Sequence, residues 1–271
     1  MEGTYKDLDA NPRYYIFKDM YNIYEREFAR FQNRIVRCLK ASDIDKAAAE
    51  GKIAAILSVE GCEVINCDLD ILEEVYKMGI RSIQPTWNNI NPLSGTNAAG
   101  ADTGLTDYGR VYVKRAIELG MMIDASHISD KGFYDLYELC GEAGIPLITS
   151  HSNSRALCPH PRNLTDDMFK KLIEINGVTG INIYGKFLTV SGDCDVNNVV
   201  AHIEHFLNLG GEENVCMGND WDGCNITPRD MTSVSDVPKL YEALEKRGCS
   251  DEMLTKLFYG NLMRVVRKVL K

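Results

Sequence analysis

The chain has 271 residues, 45% hydrophobic and 25% charged, which fits one large soluble α/β domain or two ordinary ones. Its 39 acidic and 30 basic residues give a net charge of −9 that is spread along the chain, which argues against a nucleic-acid partner. The sequence shows no signal peptide, no run of about 18 apolar residues and no Cys-x-x-Cys pair, so we expect a cytoplasmic protein with reduced thiols and no membrane partner.

The first elements of the chain are predicted to be helices. Apolar residues recur mostly at three- and four-residue steps from Tyr14 to Leu39, which predicts one long helix. Ser42 then starts a short alanine-rich helix, which Gly51 ends.

Strand and helix signals alternate along the rest of the chain. Apolar runs predict six strands, at 53–58, 81–86, 121–126, 146–150, 177–183 and 214–219. Helices are predicted at 70–78, 107–119, 130–143, 165–175, 197–209, 234–246 and 251–269. This alternation is typical of a parallel sheet with crossover helices, and we expect a single domain over residues 1–271.

An α/β fold of the (β/α)8 TIM-barrel type suits the alternation but needs eight strands. Only a leader and a helix precede the first predicted strand, so we expect the first strand or strands of the barrel to be missing. Segments 53–58 and 214–219 would then be open sheet edges unless the leader or another chain covers them. Open edges favour self-association, so a homodimer is among the expected assemblies.

Several predicted strands end on a side chain that can bind a metal or carry a proton. His127 and His151 each follow a serine at the end of an apolar run, and Glu60 ends an earlier run. Because the carboxyl ends of parallel strands converge, these residues are candidate metal ligands. The alternatives are two hydrogen-bonded structural histidines and a buried salt bridge for Glu60.

Two further sites carry charge at strand ends or in the loops that follow. Asp220 and Asp222 lie two residues apart after the last predicted strand, and Asp220 is a candidate proton carrier. A tight acidic turn without chemistry is the alternative. Arg162 follows the His151 strand and suits bidentate capture of a substrate carboxylate, or else it is a surface arginine paired with Asp166 or Asp167.

A set of short motifs occurs in order along the chain. The motifs are Ser58-Val-Glu60-Gly61, Asp124-Ala-Ser-His127, Ser150-His151-Ser152, Arg162-Asn163, Gly180-Ile-Asn182-Ile-Tyr184, Gly218-Asn-Asp220-Trp-Asp222-Gly223 and Tyr259-Gly-Asn-Leu-Met-Arg264. Taken together, they resemble the membrane (renal) dipeptidase family of zinc peptidases. The resemblance covers the chain from about Ile44 to its end, and the ordered set is far more specific than any single motif.

The resemblance implies a metallo-dipeptidase that hydrolyses the peptide bond of a dipeptide with a metal-activated water at a site of two zinc ions. By motif, Glu60 resembles the carboxylate that bridges the two ions, and His127 and His151 resemble the ligands of the second ion. Further roles are implied for Asp220 as the acid/base residue and for Arg162, Tyr184 and Trp87 as substrate contacts.

The sequence departs from the family pattern at two places. No histidine is followed two positions later by aspartate, although such a pair binds the first metal in the family. Mammalian members also carry a histidine where this chain has Thr86-Trp87-Asn88-Asn89. Glu60, His127 and His151 suffice for one open zinc site, so we expect at most one zinc ion.

Two other functions remain open from the sequence. One is an amidohydrolase-type barrel that acts on a cyclic amide or ester with a single metal. The other is a catalytically impaired homologue that binds a small peptide or scaffolds a partner.

Overall fold

The computed structural model describes residues 12–98, 100 and 102–271. Its helices are α1 (Pro12–Arg30), α2 (Ala41–Ala49), α3 (Leu69–Lys77), α4 (Asp107–Glu118), α5 (Asp130–Glu142), α6 (Asp166–Glu174), α7 (Gly185–Leu188), α8 (Val196–Asn208), α9 (Val237–Lys246), α10 (Asp251–Thr255) and α11 (Asn261–Val269). Its strands are β1 (Ile35–Arg37), β2 (Ile53–Ala55), β3 (Leu57–Glu60), β4 (Ile80–Gln84), β5 (Met122–Ile123), β6 (Ile148–Thr149), β7 (Val178–Asn182) and β8 (Val215–Asn219). None of the described helices combines the length and apolar character needed to cross a membrane.

The first of two compact units comprises the described residues up to Ile123, together with His127–Gly132 and Val269–Lys271. In this unit β1 pairs in parallel with β2, and β3, β4 and β5 form a second parallel sheet in that order. Val59 is in register with Ile83, and Ile83 with Ile123. All three side chains are buried, because parallel strands covered by helices bury both faces.

The second unit comprises Asp124–Ser126 and Phe133–Lys268. Its strands β6, β7 and β8 are parallel neighbours, and Asp124 forms an isolated parallel bridge with Ile148 of β6. Every residue of β7 is buried. The rings of Phe169 on α6 and Phe206 on α8 stack with centroids 4.2 Å apart, so these two helices share one apolar contact in the core.

Polar side chains fix where several helices begin. Asp68, Thr106, Thr165 and Ser250 each accept a hydrogen bond from a backbone N–H in the first turn of the helix that follows. Such caps satisfy backbone donors that have no partner inside the helix. These helices begin within about one residue of where their sequence signals predict them.

The parallel α/β architecture and the positions of the six predicted strands are confirmed, whereas the front of the chain differs from the prediction. The prediction of one long helix from Tyr14 to Leu39 is wrong, since α1 ends at Arg30 and β1 follows a turn at 31–34. The count of six strands is also too low, since the described residues contain eight. Ile35 and Val36 are β-branched and pair with Ile53 and Ala54, so a strand of the leader covers residues 53–55, the first half of the predicted segment 53–58.

The C-terminal helix prediction also needs correction. The segment 251–269 was expected to be one helix, but a π-helical turn at Lys256–Gly260 separates α10 from α11. Periodicity of apolar residues does not distinguish an α-helix with such an insertion from a continuous one.

Candidate active site

In the first unit, Glu60 and His127 face each other. Glu60 is the last residue of β3, and the Nε2 atom of His127 lies 2.9 Å from its Oε1 atom. The histidine side chain is buried (7% exposed), whereas the glutamate side chain is 45% exposed. The sequence prediction that these two strand-end residues meet is therefore confirmed.

Asn88 sets the orientation of the His127 ring. Its Oδ1 atom lies 3.2 Å from His127 Nδ1. Because an amide oxygen can only accept, Nδ1 carries the proton and Nε2 presents its lone pair in the neutral ring. The backbone of His127 is also fixed, since Thr96 Oγ1 lies 2.7 Å from its carbonyl oxygen. Sequence reasoning did not single out Asn88 as a contact of His127, although it belongs to the Thr86–Asn89 segment that lacks the histidine of the mammalian members.

Trp87 lies beside this pair and is partly exposed. Its ring centroid is 6.3 Å from that of His127. Gly61, with φ of +86°, allows this approach, because a Cβ atom there would lie 2.7 Å from Trp87 Cβ. Buried Glu63 accepts hydrogen bonds from Trp87 N and from Asn91 Nδ2, at 3.2 and 2.9 Å. The loops after β3 and β4 are thus held against each other next to Glu60.

A cavity of about 320 Å³ in the first unit reaches Glu60. Its walls are mainly apolar and come from α1 and β3, with Ile16, Met20 and Tyr24 among the lining residues. Glu60 is the one ionisable carboxylate among the residues that line it.

In the second unit, His151 is buried and held by two serines. Its Nδ1 atom lies 2.7 Å from Ser150 Oγ, and its backbone N–H donates to Ser126 Oγ over 3.2 Å. The ring is therefore fixed from the Nδ1 side, as that of His127 is in the first unit.

Asp124 anchors both of these serines. Its Oδ1 atom accepts from Ser126 N at 3.0 Å, Ser126 Oγ at 2.7 Å and Ser150 N at 3.0 Å. Complete burial raises the pKa of Asp124, while the hydrogen bonds from the two serines oppose that rise. Sequence reasoning quoted Asp124 within a motif but gave it no role, and its spacing before Ser126 and His127 was the available signal.

Asp220 follows β8 in the left-handed region, with φ of +69°. Asn182 Nδ2 donates to its Oδ2 atom over 3.2 Å, and Asn182 itself is fully buried. Burial, and next the charge of Asp220, raise the pKa of the Cys224 thiol to about 12, so this cysteine stays protonated at neutral pH. Asn182 is a second residue that sequence reasoning quoted without assigning it a function.

Arg162 and Tyr184 lie around the ring of Phe187. The guanidinium carbon of Arg162 is 5.4 Å from the ring centroid, and the Tyr184 ring meets Phe187 edge-on at 4.9 Å. Arg162 is only 4% exposed, so the interpretation of it as a surface arginine is wrong. Burial, and next the charge of Arg162, lower the pKa of His160. The structure thus brings a buried guanidinium and a phenol together in the second unit.

With this geometry established, comparison with known proteins identifies the family. The sequence profile of the membrane dipeptidase family, peptidase family M19, matches residues 12–271. The chain belongs to the membrane dipeptidase family. The resemblance inferred from its motifs is confirmed, and the enzyme class is that of the metallo-dipeptidases, which are hydrolases.

Two sequence relatives are themselves uncharacterized. The protein in the pqqA 5′ region of Klebsiella pneumoniae is 34% identical over 257 residues, which cover 91% of this chain and 93% of that protein. The protein in the PQQ-III 3′ region of Acinetobacter calcoaceticus is 35% identical over 191 residues, 67% of this chain and 60% of that protein. Neither relative adds a tested activity to the family assignment.

Solved structures agree with the assignment. A metallopeptidase from Rhodobacter sphaeroides, liganded with a phosphinate mimic of the dipeptide L-Ala-D-Ala, is 30% identical with a TM-score of 0.83, over 93% of this chain and 73% of that chain. Dipeptidase AC, a metallopeptidase of family M19, is also 30% identical with a TM-score of 0.84, over 93% and 76%. A structure described as the "probable dipeptidase PvdM" of Pseudomonas aeruginosa is 21% identical with a TM-score of 0.84, over 92% of this chain and 78% of that chain, and shares the fold.

Proposed function

We propose that this member of the family hydrolyses dipeptides with one zinc ion held by Glu60, His127 and His151, on a scaffold of the (β/α)8 TIM-barrel type. The observation that carries the proposal is the pairing of Glu60 Oε1 with His127 Nε2 at 2.9 Å. Family membership over residues 12–271 supports it. Cytoplasmic location and homodimer formation remain predictions from the sequence.

The donor set of the Glu60–His127 pair fits a zinc ion. With the proton of the ring on Nδ1, a lone pair of Nε2 and a carboxylate oxygen face each other, and a cation satisfies both. Two ligands bonded at 2.0–2.1 Å to a tetrahedral zinc ion lie about 3.3 Å apart, close to the separation of this pair. His151 is proposed as the third ligand because its motif matches that of the family and its Nδ1 atom is likewise engaged.

Zinc, when bound, would polarise the scissile carbonyl and supply a water molecule that is ionised near neutral pH. Residues of the chain are proposed to transfer the protons and to bind the substrate. Asp220 takes a proton from the attacking water and gives a proton to the leaving amine, and the hydrogen bond from Asn182 Nδ2 to its Oδ2 atom fixes the carboxylate. Arg162 is proposed to pair with the terminal carboxylate of the dipeptide, since a buried guanidinium suits a carboxylate in a fork-like geometry.

Tyr184 and Trp87 are proposed as substrate contacts. Tyr184 is half-buried and touches the same Phe187 ring as Arg162. Trp87 is 45% exposed beside His127, so its ring offers an apolar surface at the edge of the metal pair. If both assignments are correct, replacing Tyr184 or Trp87 by alanine raises KM and leaves the zinc content unchanged.

One specific observation favours a second candidate function. No histidine in the chain is followed two positions later by aspartate, so the sequence lacks the family pair for the first metal. The second candidate is a catalytically impaired homologue, which binds zinc and a dipeptide without hydrolysing it and needs no ligands for the first metal. An amidohydrolase activity on a cyclic amide or ester has no comparable observation in its favour.

The test is a hydrolysis assay on the full chain with and without zinc. The substrates are L-Ala-L-Ala, L-Ala-D-Ala and a cyclic dipeptide, with amine release measured after chelation and after zinc is restored. Zinc-dependent cleavage of a linear dipeptide that is lost in His127→Ala and kept in His205→Ala supports the proposal. Zinc binding with no cleavage of any linear dipeptide would favour the impaired homologue instead.

A further inference from the structure

Each proposed ligand histidine follows a serine in the sequence, and the structure gives these two serines a common partner. Ser126 and Ser150 both donate to the buried carboxylate of Asp124. We propose that Asp124, Ser126 and Ser150 form an orienting cluster that fixes the tautomer and the position of His151, so that its Nε2 atom is the one that coordinates metal. This inference rests on the proposed function, because it assumes that His151 is a ligand.

The direction of the hydrogen bonds in the cluster follows from its backbone donors. The N–H groups of Ser126 and Ser150 can only donate, and both point to Asp124 Oδ1 at 3.0 Å. That oxygen is therefore an acceptor, and Ser126 Oγ, 2.7 Å from the same atom, is a donor to it. Ser126 Oγ is then left with lone pairs, which accept the backbone N–H of His151 at 3.2 Å.

Ser150 connects the cluster to the ring of His151. Its Oγ atom lies 3.2 Å from Ser126 Oγ, which already donates to Asp124, so the Ser150 hydroxyl proton is directed into the cluster. The lone pairs of Ser150 Oγ are thereby turned to His151 Nδ1 at 2.7 Å, which must carry the proton. With the proton on Nδ1, the ring offers the lone pair of Nε2. Asp124 is thus a positioning residue that acts through two serines.

Ser152 provides a matched comparison on the other side of His151. It is also buried, at 1% exposure, and it is also adjacent to the histidine in sequence. Within the part of the chain that the structure describes, its hydroxyl has no hydrogen-bond partner. Replacing Ser150 and Ser152 by alanine removes the same atom from the two neighbours of His151, but only one of the two changes touches the cluster.

The experiment compares the full chain with Ser150→Ala, Ser126→Ala, Ser152→Ala and His151→Ala. Zinc affinity is measured by competition with a chromophoric chelator, and the protonated ring nitrogen of His151 is read from ¹⁵N NMR of the zinc-free proteins. Partners of this kind change metal affinity by roughly 10–100-fold. We therefore expect that loss for Ser150→Ala, a smaller loss for Ser126→Ala and no more than about threefold for Ser152→Ala.

The NMR readout separates positioning from a general loss of stability. In the unaltered protein and in Ser152→Ala, the His151 signal should show the proton on Nδ1, whereas Ser150→Ala should show exchange between the two tautomers. A Ser150→Ala protein with unchanged tautomer and unchanged zinc affinity would overturn the inference. If Ser150→Ala does not fold, the same pair of readouts on Ser126→Ala decides the question.

His151→Ala distinguishes failure of this inference from failure of the proposed function. If His151→Ala keeps full zinc affinity, His151 is not a ligand and the proposed function is wrong at that residue. If His151→Ala loses zinc while Ser150→Ala and Ser126→Ala behave like Ser152→Ala, only the orienting cluster is wrong.

Discussion

The Nδ2 atom of Asn182 donates a hydrogen bond to Asp220 Oδ2 over 3.2 Å, while its Oδ1 atom accepts from Tyr184 N over 2.6 Å. One buried amide therefore connects the proposed acid/base residue to a proposed substrate contact. Asn153 holds Asn182 in turn, because the two residues exchange a pair of hydrogen bonds of 2.9 Å each through side chain and backbone. Such a fully bonded polar cluster is rigid, and loss of one member leaves the others unsatisfied.

Replacement of Asn182 by alanine is expected to lower kcat by about tenfold or more, since Asp220 would lose the donor that fixes its carboxylate, and to raise KM as well, since Tyr184 would lose the acceptor of its backbone N–H. Zinc content should stay unchanged. Asn208→Ala on the exposed end of α8 is the control. Steady-state kinetics check this, and an equal fall in kcat for both variants would show that the effect is not specific to Asp220.

Asp220→Asn is expected to reduce turnover by orders of magnitude while zinc remains bound, because the proposed role of Asp220 is proton transfer and not ligation. The amide is nearly the same size as the carboxylate, so the fold should tolerate it. Turnover and zinc content measured on the same sample provide the check. Near-normal turnover would reassign Asp220 to a structural role.

Buried His202 predicts a pH dependence of folding stability. Its Nδ1 atom accepts from Ser154 N, and its Nε2 atom lies 3.0 Å from the carbonyl oxygen of Leu188. Burial lowers its pKa from 6.5 to about 4. Between these two values the unfolded chain binds a proton that the folded chain excludes, so stability falls as the pH is lowered from 6.5 to 4 and is constant with respect to this group above 6.5.

The loss over this interval amounts to roughly 3 kcal/mol from His202. Urea unfolding at several pH values measures it, and His202→Gln should flatten that part of the profile. His205→Gln on the same helix is the control, since His205 is partly exposed and bonded to Asp166. A profile for His202→Gln that is as steep as that of the unaltered protein would contradict the prediction.

Gly61→Ala is expected to destabilise the protein more than Gly51→Ala. Both glycines have positive φ, +86° and +66°, so both substitutions carry the backbone cost of about 1 kcal/mol. Only at Gly61 does a Cβ atom also meet Trp87 Cβ, at 2.7 Å, whereas nothing lies within 4 Å at Gly51.

Denaturant unfolding gives the two free energies, and tryptophan fluorescence reports the displacement of Trp87. Equal destabilisation by the two alanine substitutions would contradict the prediction, because it would show that Trp87 and the loop after β4 can move away from the added Cβ atom without loss of folding free energy.

The alternation of strands and helices could be predicted because buried parallel strands appear as short apolar runs. Segments such as Val178–Asn182 are buried on both faces, so their apolar character is nearly continuous. β1 escaped prediction because its three residues, Ile35–Arg37, fall within the helical spacing of the preceding segment. Its strand identity depends on pairing with β2, which is a tertiary interaction.

The candidate site was predictable at its strand ends and not in its supporting residues. Glu60 and His127 could be inferred because each terminates an apolar run. Asn88, Asp124 and Asn182 could not be assigned roles in the same way, because a polar residue near a strand end has no periodic signal that reveals its partner. Their contacts are visible only in the folded structure, such as the 2.7 Å between Asp124 Oδ1 and Ser126 Oγ, and their roles are proposed from those contacts.

The most direct test of the central claim is the zinc stoichiometry and affinity of the full chain beside His127→Ala and His205→Ala. Elemental analysis after dialysis against buffered zinc gives the number of ions bound per chain. The proposal predicts one zinc in the unaltered protein and in His205→Ala, and none in His127→Ala. Full zinc occupancy in His127→Ala, or two tightly bound ions in the unaltered protein, would show that other residues hold the metal and would contradict the assignment.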